Sequence, residues 1–225
     1  MSANTLKIIA IISMTLDHIG FMLFPEHKWL RMAGRIAFPI FAYMIAEGCK
    51  YTRNRSNYLL RIGIIGVFMQ LILFVATRSL YQSVFISFAL SISLIYMIDN
   101  AIAKQKITYV IYSVLYALFI AFLCLCLPNI LKKTDFHIDY GIIGVLIPVM
   151  CYFTKGKKLK LLVFSLSLIA LSVFYGNFQW FCLLAIPLIG MYNHQRGKFN
   201  LKKMFYIYYP AHICVIFILK LIINC

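Results

Sequence analysis

Polar residues along this chain come in short clusters, separated by apolar stretches of about 15–21 residues. A helix crossing the hydrocarbon core of a bilayer needs about 20 apolar residues at 1.5 Å rise each. The pattern predicts nine spans, over about 5–24, 31–49, 59–77, 81–99, 107–127, 140–154, 159–175, 178–192 and 204–222. The sixth and eighth are short. Pro39, Pro148 and Pro187 fall inside predicted spans, where each removes a backbone donor and can kink its helix. Tyr175-Gly176-Asn177 reads as a tight turn between two spans. The expected fold is all-α: a polytopic transmembrane helical bundle of about nine spans, forming a single integral-membrane domain over 1–225.

Composition agrees with this pattern. The 225 residues are 63% hydrophobic and 12% charged, with a mean hydropathy of +0.89. No stretch is long and polar enough to fold outside the membrane. The net charge of +16 would suggest nucleic acid in a soluble protein, but no folded soluble surface remains for that partner. The basic residues sit in short loops, where they first mean orientation and anionic lipid headgroups. Fifteen of the 22 Lys and Arg fall on the side of the N-terminus, six on the other side, and Arg35 lies inside the second span. The positive-inside rule therefore predicts a multi-pass protein of the plasma membrane with its N-terminus in the cytoplasm. The first apolar run lacks a small-residue cleavage motif and reads as a span. The seven cysteines include no CxxC pair and read as small core residues.

Within this apolar background the ionisable residues stand out. An acid or imidazole inside a span is expensive and marks a functional site by default. Asp17-His18 lies in the outer half of span 1, and Arg35 about one turn into span 2 from outside. Asp139-Tyr140 begins span 6 at the outer face, His212 sits near the middle of span 9, and Glu47 is at the inner end of span 2. On a helix Asp17 and His18 point about 100° apart, so Asp17 is expected to pair with Arg35 or another inward group. The alternative reading is a polar set satisfied between helices that only fixes packing. There is no metal-ligand spacing, no GxSxG elbow and no phosphate-cradling glycine loop, so no metal is expected.

Several blocks resemble the TraX family of membrane acyltransferases. They are Leu6-Lys7-Ile8-Ile9-Ala10 leading to Asp17-His18-Ile19-Gly20, then Arg31-Met32-Ala33-Gly34-Arg35-Ile36-Ala37-Phe38-Pro39. Glu47-Gly48, Thr52-Arg53 and Tyr58-Leu59-Leu60-Arg61 follow, then Asp139-Tyr140-Gly141, Trp180 and Phe205 to His212. More distantly the chain is similar to transmembrane acyltransferases that modify sugars. The resemblance implies transfer of an acetyl or other acyl group from cytoplasmic acetyl-CoA to an amine or hydroxyl of an acceptor at or beyond the membrane. That acceptor is a peptide, glycan or small molecule.

Acyl transfer needs a base for the acceptor's proton and donors where charge develops on the thioester oxygen. His18 is the first choice of base and His212 the rival, whose other role would be a hydrogen bond between helices. Asp17 and Arg35 complete the catalytic candidates; Arg35 would bind the thioester oxygen or close a pair with Asp17. Arg53, Arg55, Arg61 and Lys202 are the candidates for the phosphates of acyl-CoA, where Arg forms forked contacts. Glu47, Asp139, Tyr140 and Tyr209 are further positions in the matching blocks. Two readings from other classes stay open: a small-molecule transporter or flippase, and a noncatalytic membrane assembly subunit. The residues leave the oligomeric state undetermined.

Overall fold

The computed structural model describes residues 1–198 and 202–223, the side chains of Lys202, Lys203 and Tyr206 excepted. The regular elements among these residues are helices. They are α1 (Ala3–Met22), α2 (Lys28–Gly34), α3 (Ala37–Tyr51), α4 (Arg55–Thr77), α5 (Val84–Lys104) and α6 (Ile107–Ala121). A π-helical stretch, Phe122–Cys126, carries α6 on into α7 (Leu127–Ile130). Then come α8 (Gly141–Phe153), α9 (Lys157–Tyr175), a 3₁₀ helix (Asn177–Leu184) running into α10 (Ala185–Gly190), and α11 (Lys202–Ile223). Five of these stretches are long and apolar enough to cross a membrane: Ala3–Met22, Arg55–Thr77, Val84–Lys104, Ile107–Ile130 and Lys157–Tyr175. Gly141–Phe153, Asn177–Gly190 and Ile207–Ile223 are shorter apolar helices.

The predicted second span, 31–49, is two helices, and Pro39 is the cause. In a continuous helix the Pro39 nitrogen would donate to the Arg35 carbonyl, but it has no hydrogen and its ring clashes with that carbonyl. The chain leaves the helix at Arg35 and Ile36 and restarts at Ala37. Pro39 then lies in the first turn of α3, where a missing donor costs nothing. The turn expected at 175–177 is present, with Gly176 at φ 61° and Asn177 at φ 42°.

The chain forms two compact units, Met1–Met44 with Gly156–Cys225, and Ile45–Lys155. In the first, α1 packs on α2 and α11, and the 3₁₀ helix packs on α9 and α2. One end of this unit is tied by backbone bonds. The Met1 ammonium donates to the Met191 carbonyl (2.6 Å), and the N–H groups of Ala3 and Asn4 donate to the carbonyls of Gln195 and Arg196. In the second unit α5 packs against α4, α6 and α8. Ser91 Oγ donates across α5 to the Val145 carbonyl of α8 (2.7 Å), the kind of interhelical bond that contributes about 0.6 kcal/mol in membrane proteins. Leu60, Ile64, Val67, Phe68, Leu71 and Val75 form an exposed apolar stripe along α4, a face suited to lipid.

Loops of the second unit are locked by acids. The Asp139 carboxylate accepts from Tyr81 OH (2.6 Å), and Ser87 Oγ donates to the Asp139 carbonyl (2.6 Å). The Asp135 carboxylate accepts from the Ser79 hydroxyl and the Leu80 N–H (2.8 Å). These bonds, the hydroxyl first, hold Asp135 below the ordinary carboxylate value of 3.8. A lowered folded-state value means stability that is present above the ordinary value and disappears as the pH falls through the folded one. Asp135→Asn should therefore lower the thermal midpoint at pH 6, and the gap to wild type should close below pH 3.8. A gap independent of pH would refute the assignment.

Candidate functional site

The site is built on one turn of α1. Thr15 returns its hydroxyl to the Ile11 carbonyl (2.9 Å) and meets Tyr208 OH of α11 (2.8 Å). That contact brings the following turn of α1 against α11. Asp17 and His18 diverge around the helix, so one faces α2 and the other faces α11.

Towards α2, one carboxylate oxygen of Asp17 receives Arg31 Nε (3.0 Å) and Arg35 Nη2 (3.5 Å). All three side chains are mostly buried: Asp17 is 23% exposed, Arg31 25% and Arg35 15%. The expected Asp17–Arg35 pair is present, and Arg31, read above as a loop charge, forms the shorter bond. Arg31 and Arg35 are four residues apart and share a helix face. The carboxylate thus sits between two guanidinium groups, which offsets the cost of burying its charge. Gly34 makes this approach possible, because a Cβ there would lie 2.2 Å from the Asp17 Cβ. The Arg31 guanidinium also lies over the Phe21 ring, 5.0 Å from its centroid.

Towards α11, His18 meets His212, with ring centroids 5.0 Å apart. His18 Nδ1 lies 2.9 Å from the Met14 carbonyl and 3.2 Å from His212 Nε2. His212 Nδ1 lies 3.0 Å from the Tyr208 carbonyl. A carbonyl oxygen only accepts, so with both rings neutral each Nδ1 carries the hydrogen. His212 Nε2 then accepts from His18 Nδ1–H. His18 Nε2 keeps its lone pair and is the basic nitrogen of the pair. Tyr208 stacks on His212 at 5.3 Å, and Tyr209 stands edge-on to both imidazoles. These aromatic walls fix the ring orientations. His212 is 6% exposed and Tyr209 9%.

Asp17, His18, Arg35, His212 and Tyr209 therefore come together in the first unit. The other candidates, Lys202 excepted, belong to the second unit and have their own surroundings. Glu47 is buried at 4% exposure. Arg53 and Arg61 are exposed. Arg55 is paired with Asp99 and lies over the Tyr96 ring. Asp139 and Tyr140 form the loop before α8, where Tyr140 adopts φ 58°. The Lys202 side chain lies outside the described residues.

Sequence reasoning gave no site role to Arg31, Thr15, Tyr208 or Gln179. Gln179 lies in the 3₁₀ helix and is 5% exposed. Its carbonyl accepts from Ser172 Oγ (3.2 Å) and its N–H donates to the Gly176 carbonyl (2.9 Å). Its side-chain amide lies beside the Cys182 thiol, which also meets Ser172 Oγ (3.4 Å). The available signal was a lone polar side chain inside an apolar run.

The family described as TraX protein matches residues 2–220. The chain is 25% identical over 245 aligned positions to the probable fimbrial assembly protein FimC, serogroup H1, of Dichelobacter nodosus, covering 96% of this chain and 94% of that protein. It is 27% identical over 177 positions to the uncharacterized protein RP591 of Rickettsia prowazekii (strain Madrid E), covering 78% of this chain and 64% of that protein. No solved structure matches.

Proposed function

The chain belongs to the TraX family, and from that premise we propose that it is a multi-pass membrane acyltransferase taking acetyl groups from acetyl-CoA. The observation that carries this reading is the hydrogen-bonded His18–His212 pair beside the Asp17–Arg31–Arg35 cluster, set among apolar helices. A base with a free ring nitrogen next to buried positive charge is the equipment acyl transfer needs.

In this reading His18 Nε2 takes the proton of an attacking amine or hydroxyl. As the ring becomes positive, its Nδ1–H bonds to His212 and to the Met14 carbonyl strengthen, and the Asp17 charge lies one residue away. The acceptor's nitrogen or oxygen bonds to the acyl carbon, the carbon–sulfur bond breaks, and the proton held on Nε2 passes to sulfur to give the free CoA thiol. Arg35 contributes positive field to the acyl oxygen. With the N-terminus in the cytoplasm, the exposed Arg53 and Arg61 are the residues proposed for the CoA phosphates; Arg55 is committed to Asp99. The similarity to a protein named for fimbrial assembly favours a peptide acceptor, the end of a surface-assembled subunit, over a glycan.

Purified protein in nanodiscs, given acetyl-CoA and a peptide amine, should release free thiol and acetylate the peptide. Binding of acetyl-CoA without thiol release over a range of amine and hydroxyl acceptors would remove the transferase reading. Absence of binding would leave a transporter or assembly role.

A further inference from the structure

The Asp17 carboxylate holds two positive partners with one negative charge. Arg31 Nε and Arg35 Nη2 approach the same carboxylate oxygen, at 3.0 and 3.5 Å, and all three side chains are mostly buried. One positive charge is left over. Across residues 1–44 and 156–225 the acids are Asp17 and Glu26, and Glu26 is exposed in the turn before α2. Surplus charge among apolar helices is expensive. A single arginine would neutralise Asp17, so the second leaves the cluster matched to a further anion.

The geometry points to Arg31 as the group that meets it. Arg35 is the deeper of the two, and a quarter of the Arg31 side chain is accessible. Asp17 takes the Nε of Arg31, and the guanidinium lies over the Phe21 ring, 5.0 Å from its centroid. Carboxylate and ring together brace the guanidinium plane. Its two terminal nitrogens form the fork whose geometry matches a carboxylate. Asp17, which anchors this cluster, is followed directly by His18, and consecutive Cα atoms are about 3.8 Å apart. The anion site and the basic nitrogen are therefore mounted on one turn of α1. With the N-terminus in the cytoplasm, as proposed above, that turn lies in the outer half of the span, on the acceptor's side.

We propose that Arg31 binds a carboxylate of the acceptor, so that the acceptor is an acidic peptide: a free amine with an aspartate or glutamate side chain within a few residues of it. The proposal rests on the acyltransferase reading and names its substrate class. Arg31 is then a specificity residue, and Arg35 keeps its place beside the acyl oxygen.

The test uses labelled peptide amines that differ by one Glu or Gln near the free amine, with the protein in phosphatidylcholine nanodiscs. Fluorescence anisotropy reads peptide binding, and thiol release from acetyl-CoA reads transfer. A hydrogen bond to a charged group corresponds to about 10–100-fold in affinity. Wild type should prefer the Glu peptide by that factor in binding and in kcat/KM. Arg31→Gln should bring both ratios to near equality, and Arg31→Lys, which keeps the charge and loses the fork, should fall between. Each ratio is taken within one protein, so a smaller folded fraction does not alter it. Equal binding of the two peptides by wild type would overturn the proposal, and so would a preference that Arg31→Gln retains. A thermal midpoint that added phosphatidylglycerol raises in wild type but not in Arg31→Gln would assign the fork to lipid headgroups and overturn it as well. Equal transfer to both peptides would sink the carboxylate site and leave the acyltransferase standing. Arg31-dependent preference in binding, with no thiol release from either peptide, would do the reverse.

Discussion

Replacing His18 by alanine should lower acetyl transfer by about 10²–10⁴-fold, the contribution of a positioned general base, while acetyl-CoA binding and helix content stay at wild-type levels. The size follows from the hydrogen-bond pattern. His18 Nε2 is the ring nitrogen of the pair left with an uncommitted lone pair, since His212 Nε2 receives the His18 Nδ1–H. His212 acts one step behind. Gln at 212 can still offer an oxygen to His18 Nδ1, so His212→Gln should cost about tenfold, well short of the His18 variant. Kinetics of both variants in nanodiscs, with single-turnover thiol release, check the order. Equal losses, or a larger loss at position 212, would reverse the roles. A wild-type burst of thiol in the absence of acceptor would replace direct attack by an acyl-histidine route.

Gly34→Ala should be the most disruptive small substitution in the first unit. The added carbon would stand 2.2 Å from the Asp17 Cβ and 2.7 Å from its Cα. The second of these is backbone, so no side-chain rotation relieves the overlap and α1 must move from α2. Overpacking of this kind costs about 1–3 kcal/mol. Here the movement also draws Arg31 and Arg35 from a mostly buried carboxylate, and breaking a buried pair adds about 3–5 kcal/mol. Gly63→Ala is the matched control: nothing lies within 4 Å of its Cβ position, on a helix where alanine is the better former. Thermal unfolding in one detergent should show a large fall for the first variant and none for the second. Near-equal midpoints would mean that α1 and α2 are less closely seated than the 2.2 Å approach implies.

Much of the helical layout was legible in the apolar runs, because a run of that length has few other uses. The break at Arg35 and Ile36 was not predicted. A proline inside an apolar run reads as a kink, and a stop followed by a restart depends on where the broken carbonyl falls. Arg31 was read as topology signal since it lay at a predicted span end, yet its four-residue spacing from Arg35 was visible and would have put both on one face. His18 and His212 were each named, but their contact was not. Periodicity tells which face of a helix is buried and is silent on which helix it meets. In the second unit, Asp139 of the loop before α8 bonds with Tyr81 and Ser87, partners that no apolar run could reveal. Gln179 escaped notice because a single amide in an apolar run carries no motif.

The π-helical stretch Phe122–Cys126 absorbs a surplus residue inside a membrane-length helix. A π turn holds one residue more than an α turn. Beyond it every side chain of α7 is rotated by about 100° from the position a regular helix would give. A chain without the surplus residue would reach the same helix end, with the same outward face, through a regular α turn at 122–126. The widened turn takes up one residue within the span and leaves the two ends of the span where they are.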